Sequence, residues 1–147
     1  MIRTKGDNKI VIERDKKKKV FLGGTCNNST WRDKLIKKLE IDYFNPVVED
    51  WTPECIKEEI KQRKNCDFVL YVITPEMTGV YSIAEVVDDS NKRPEKTVFC
   101  WDDDDWAEKF EGHQRKSLNQ VGDMVKENGG KVCDNLKQVA EYLNRSK

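Results

Sequence analysis

The chain has 147 residues, with 27 Lys plus Arg against 27 Asp plus Glu, so its formal net charge is zero. A balanced charge argues against binding polymeric nucleic acid through a broad basic surface, and 9% aromatic residues argue against a chain too poor in apolar side chains to fold. The longest apolar run, Phe68 to Ile73, falls far short of the roughly 18 residues a membrane-spanning helix needs, and the charged opening of the chain lacks the apolar stretch of a secretion leader.

In chain order, Lys9–Glu13 is a short apolar run and Lys16–Lys19 a basic one. Residues 1–18 therefore read as a polar hairpin or extension within one domain over residues 1–147. Val20–Leu22 reads as a buried strand ending at the Gly23–Gly24 turn. Ser29 and Thr30 are good helix caps, and Trp31, Leu35, Ile36 and Leu39 recur at helical spacing, which predicts a helix over Thr30–Glu40. Tyr43–Phe44 is the next strand, stopped by Asn45–Pro46. Thr52–Pro53 opens a helix through Asn65, whose inward face is expected to carry Cys55, Ile56 and Ile60. Cys66–Ile73 is the strongest strand, apolar on both faces as a central parallel strand is. Tyr81–Asp89 reads as a helix with Ile83, Val86 and Val87 inward, and Thr97–Trp101 as another strand. Leu118, Val121 and Val125 mark a helix, Val132–Cys133 a short strand, and Leu136–Leu143 a closing helix.

Strands alternating with helices predict one doubly wound α/β domain with a four- or five-stranded sheet. The cysteines Cys26, Cys55, Cys66, Cys100 and Cys133 are odd in number and widely spaced, without C-x-x-C. That pattern points to reduced thiols in the cytoplasm, most of them core residues, rather than to disulfides or zinc.

Open α/β sheets bind ligands beyond the carboxyl ends of their strands, which gathers Gly23–Trp31, Asn45–Trp51, Thr74–Glu85 and Trp101–Trp106 around one crevice. The Gly23–Gly24–Thr25 turn lets backbone approach a ligand, but it is neither G-x-G-x-x-G nor a P-loop. Glu85 lies one turn into a helix among Ile83, Ala84, Val86 and Val87, where a carboxylate needs a partner or a task. A nucleophile and a helix residue paired with Lys or Arg both fit that pattern. Asp102–Asp105 is expected to be a solvated loop rather than a Mg²⁺ site, so no metal or cofactor is expected. His113, the sole histidine, is expected at the surface, and Trp51 as a wall of the crevice.

Taken in order, Val20–Thr25, Trp31–Arg32, Asn45–Pro46, Cys66–Leu70 and Gly79–Glu85 resemble the nucleoside 2-deoxyribosyltransferase-like family, in particular its small branch common in phages. The resemblance runs from about Lys19 to Trp101. It implies a single flavodoxin- or Rossmann-like domain with a mainly parallel sheet flanked by helices. It also implies cleavage or transfer at the N-glycosidic bond of a deoxynucleoside or its 5′-monophosphate. Glu85 matches the family nucleophile, Asp67 the Asp that opens the central strand near the sugar or base, and Ser82 the hydroxyl that helps bind a 5′-phosphate in the nucleotide-hydrolase relatives. Gly23, Gly24, Thr25, Asn45, Trp51, Gly79 and Tyr81 complete the expected binding set. Two positions depart from the family pattern. Phe21 stands where transferases carry a Tyr, leaving Tyr71 or Tyr81 as substitutes, and Thr78–Gly79 stand where an Asp usually precedes the Glu segment. The partner implied is a small nucleoside or nucleotide, with no polymeric nucleic acid and no membrane, and the chain is expected to form a homo-oligomer in the cytoplasm (the host's, for a phage protein). A non-catalytic protein that binds or sequesters nucleotides on the same fold is the alternative.

Overall fold

The computed structural model describes residues 2–4, 10–12, 17–26, 29–103 and 108–147. Strands β1 (Ile2–Thr4) and β2 (Ile10–Ile12) pair antiparallel as a separate two-stranded sheet. The main sheet contains β3 (Lys19–Gly24), β4 (Asp42–Phe44), β5 (Phe68–Ile73), β6 (Thr97–Trp101) and β7 (Lys131–Cys133), all parallel. Their order is β4-β3-β5-β6-β7, the flavodoxin-like winding, so the chain reverses its direction of travel across the sheet between β3 and β5. The connecting helices are α1 (Trp31–Ile36), α2 (Pro53–Asn65), α3 (Tyr81–Lys92), α4 (Gly112–Glu127) and α5 (Leu136–Asn144).

Strand periodicity divides the core in two. Val20 and Leu22 of β3, Leu70 and Val72 of β5, and Val98 and Cys100 of β6 face α1 and α5, where Trp31, Leu35, Val139, Ala140 and Leu143 cover them. The alternate residues Phe21, Val69, Tyr71, Ile73 and Phe99 face the other way, toward Val86 of α3 and Leu118 and Val125 of α4. Cys66, Cys100 and Cys133 are buried thiols, whereas Cys26 is exposed. Among the described residues no helix is long and apolar enough to cross a membrane.

Three expectations change. Helix α1 stops at Ile36, and its cap residue Thr30 makes no side-chain bond to the helix, while Ser29 instead shares a hydrogen bond of 3.1 Å with Thr74. Helix α2 has no buried residue, and Ile56 and Ile60 are exposed; the side turned inward carries Cys55, Glu59, Gln62 and Arg63. Asp102 and Asp103 are buried rather than solvated. Asp103 accepts from the Phe110 amide at 2.9 Å and from Arg115 at 2.6 Å, tying the segment after β6 to the start of α4. Asp104, Asp105 and Trp106 lie outside the described residues.

Candidate active site

The carboxyl ends of β3 and β5 form the floor of a cleft of about 380 Å³ at the point where the winding reverses. Phe21, Gly23, Gly24 and Ile73 belong to that floor. Thr25, Cys26 and Arg32 line one side, Glu59 of α2 another, and Met77, Gly79, Tyr81, Ser82 and Glu85 the third.

The glycine pair is required by packing. Gly24 has φ of +119°, and a Cβ there would sit 2.0 Å from the Val72 carbonyl oxygen. A Cβ on Gly23 would fall 2.6 Å from the Tyr71 ring, so Gly23 makes room for that ring. Behind the turn lies Arg32, itself only 5% exposed. Its Nε donates to Leu22 O at 2.9 Å, Nη1 to Thr25 O at 2.7 Å and Nη2 to Gly24 O at 3.4 Å, while its guanidinium lies 4.4 Å from the Trp31 ring centre. Burial lowers the Arg32 pKa from its ordinary value, and Cys26 and, less strongly, Glu59 oppose that change. The Thr25 hydroxyl accepts from the Thr74 amide at 3.0 Å, locking the ends of β3 and β5 together.

Glu85 stands in the first half of α3 with its side chain 18% exposed at the cleft. Its Oε2 is 3.4 Å from Arg63 Nη1. The same guanidinium donates through Nε and Nη2 to the two oxygens of Asp89, at 3.2 and 2.9 Å. Asp89 is fully buried and also accepts from the Tyr71 hydroxyl at 2.5 Å and from Arg93. Burial is the largest influence on Glu85. Arg63 counteracts it, Glu59 and Asp89 reinforce it, and the carboxyl pKa is pushed up to about 7. Burial and Asp89 likewise raise the Tyr71 phenol above its ordinary value, so it stays a hydrogen-bond donor.

The expected binding set divides accordingly. Glu85, Gly23, Gly24, Thr25, Gly79, Tyr81 and Ser82 meet at the cleft. Asp67 does not. It precedes β5, and in a parallel sheet that position is the amino edge, about 20 Å from the edge where α3 begins. Its carboxylate accepts from the Lys19 amide at 2.8 Å, so it clasps β5 to β3. Trp51 is 61% exposed and absent from the lining, and the Asn45 side chain accepts from the Val47 amide instead; the loop touches the cleft at Pro46. Of the two tyrosines considered in place of Phe21, Tyr81 lines the cleft, and Tyr71 is committed to Asp89.

Arg63, Asp89 and Glu59 are site residues that the sequence reading missed. Asp89 lies four positions after Glu85, one helical turn away on the same face, and that spacing was legible. Arg63 and Glu59 carried only the signal of a polar residue pair at i, i+4 in a highly charged helix. Among the described residues no group of three or more His, Cys, Asp or Glu side chains is placed to hold a metal ion.

The sequence model of the family described as "nucleoside 2-deoxyribosyltransferase like" matches residues 17–104, which include the whole cleft. No curated protein matches the chain. A solved structure of a conserved protein from Enterococcus faecalis V583 is similar in fold, with a TM-score of 0.59 and 14% identity, covering 88% of this chain and 98% of the other.

Proposed function

Because the chain belongs to the nucleoside 2-deoxyribosyltransferase-like family, we propose that it cleaves the N-glycosidic bond of a 2-deoxynucleoside, with Glu85 as the nucleophile. The observation that carries this reading is a partly desolvated carboxylate at the cleft, held beside a guanidinium. In its ionised form, one oxygen of Glu85 attacks the anomeric carbon, and the bond to the base nitrogen breaks. The base leaves with the bonding electron pair and takes up a proton. The sugar stays on Glu85 as an ester until water, or a nitrogen of a second base, attacks the same carbon and frees the carboxylate.

The lining favours an uncharged nucleoside over a 5′-monophosphate. Glu59 and Glu85 both face the cleft, and the guanidinium of Arg32 is spent on three carbonyls. No Lys lines the cleft among the described residues. A dianionic phosphate would have Ser82 and the first turn of α3 to meet it, and little else.

A panel of deoxynucleosides and their monophosphates, with free base followed by chromatography, tests the reading. Base release is expected from deoxynucleosides, rising with pH through about 7 as Glu85 ionises. Glu85→Ala should lower it about a thousandfold or more. Release that survives this substitution overturns the nucleophile. The alternative, a nucleotide-binding protein without catalysis, is favoured by Phe21, which has no hydroxyl to offer the cleft. It predicts no release and a raised melting temperature with one ligand.

A further inference from the structure

Helix α2 turns one basic side chain inward. Lys57, Lys61 and Lys64 are exposed, whereas the Arg63 side chain is 16% exposed and its guanidinium meets three carboxylates of α3: Asp89 at 2.9 Å, Glu85 at 3.4 Å and the more exposed Asp88 at 3.6 Å. The fork to Asp89 takes Nε and Nη2, and Asp89 is itself pinned by the Tyr71 hydroxyl from β5 and by Arg93. That leaves Nη1 as the edge that meets Glu85. A planar guanidinium fixed on one edge by a buried carboxylate has little freedom to swing, so the position of its other edge is set.

We propose that Arg63 is a positioning residue for Glu85: Asp89 and Tyr71 hold the guanidinium, and its Nη1 holds one oxygen of Glu85 so that the other is presented to the cleft. The proposal rests on the glycoside-cleavage reading only for its kinetic consequence. Charge points the same way. The groups facing Glu85 are Glu59 and Arg63 from α2, Asp89 from its own helix, and the Tyr71 phenol from the sheet, with Asp88 beside the Arg63 guanidinium at 3.6 Å. Arg63 is the single cation in that set, and without it burial, Glu59 and Asp89 would drive Glu85 toward its neutral form, which is no nucleophile. Arg63 also links α2 to α3 across a helix face with no buried apolar residue. A role confined to linking the helices would leave a trace in melting temperature but none in the rate of a folded Arg63→Lys, which keeps the charge.

The test compares the wild type with Arg63→Met and Arg63→Lys. Glu85 is titrated by carboxyl-carbon NMR, its signal assigned from Glu85→Gln, and base release is measured across pH. Arg63→Met should move the Glu85 midpoint up by about one unit. The pH profile should move with it, and kcat should fall about tenfold at pH 7 with KM little changed. Arg63→Lys keeps a charge on a flexible stem, so the midpoint should return toward the wild type while the rate stays low. An unmoved midpoint in folded Arg63→Met overturns the proposal. So does a wild-type rate in Arg63→Lys, which decides the matter if the Met variant does not fold. If the wild type releases no base, the glycoside-cleavage reading fails by itself, and the NMR midpoint still decides whether Arg63 governs Glu85.

Discussion

Helices α5 and α2 flank the same sheet from opposite faces and are held by different forces. In α5, Leu136, Val139, Ala140 and Leu143 are buried along one stripe against β3, β5 and β6. In α2 no residue is buried, its isoleucines face solvent, and its inner side meets the molecule through Arg63 and Glu59. An apolar stripe is satisfied by any apolar surface, so α5 is anchored without directing chemistry. A polar face needs specific partners at set distances. The partners of α2 are Glu85, which lines the cleft, and Asp89, buried behind it. The helix that buries no residue in the core is thus the one that reaches Glu85 through Arg63 and the cleft through Glu59.

The largest expected effect breaks the anchored side. Leu143→Ala removes a fully buried side chain and should cost about 2–5 kcal/mol in chemical denaturation, with base release per folded molecule unchanged. A similar loss of activity and stability together would contradict the division between the two faces. Next, Tyr71→Phe deletes one donor to a buried carboxylate and should cost about 1–3 kcal/mol. Unlike Leu143→Ala, it should also lower base release, because Asp89 and Arg63 lose their brace.

A smaller effect of opposite sign is expected at Glu85. Its pKa is about 7 in the folded chain and about 4.3 when unfolded, so ionisation costs folding stability as pH rises from about 4.3 to 7. Glu85→Gln removes that cost. Its melting temperature should exceed that of the wild type at pH 8 and match it near pH 4, read by thermal scans at both values. Equal differences at the two pH values would show that the burial of Glu85 carries no electrostatic cost. Smallest of all, Ile60→Ser on the outer side of α2 should change stability by less than about 0.5 kcal/mol, a result opposite to what an inward Ile60 requires.

Several misreadings share a cause. Ile56 and Ile60 are four residues apart, and so are Cys55 and Glu59; one helix offers both pairs, and only its neighbours decide which turns inward. Helix α1 is shorter than its apolar spacing implies because Leu39 is apolar and packed yet lies beyond the helix end. Asp67 differs, since its place was open to deduction. In a parallel sheet the residue before a strand and the residue after it lie at opposite edges, so Asp67 and a cleft beyond Ile73 exclude each other.

By itself the sequence determined the alternation of strands and helices, the glycine pair that ends β3, and the placement of Glu85 on a helix rising from the carboxyl edge. These follow from local periodicity and from burial, which needs no particular partner. The linkage of Arg63, Asp89, Tyr71 and Glu85 was decided only by tertiary structure. Arg63 and Asp89 are 26 residues apart, Tyr71 and Asp89 18, and no local pattern states that a guanidinium on one helix will meet carboxylates on another. Charge balance in the composition is blind to that meeting. A net charge of zero counts Arg63 and Glu85 as two of many surface ions, and the fold brings them to 3.4 Å of each other, both largely shielded from solvent, where an ion pair interacts more strongly than at the open surface.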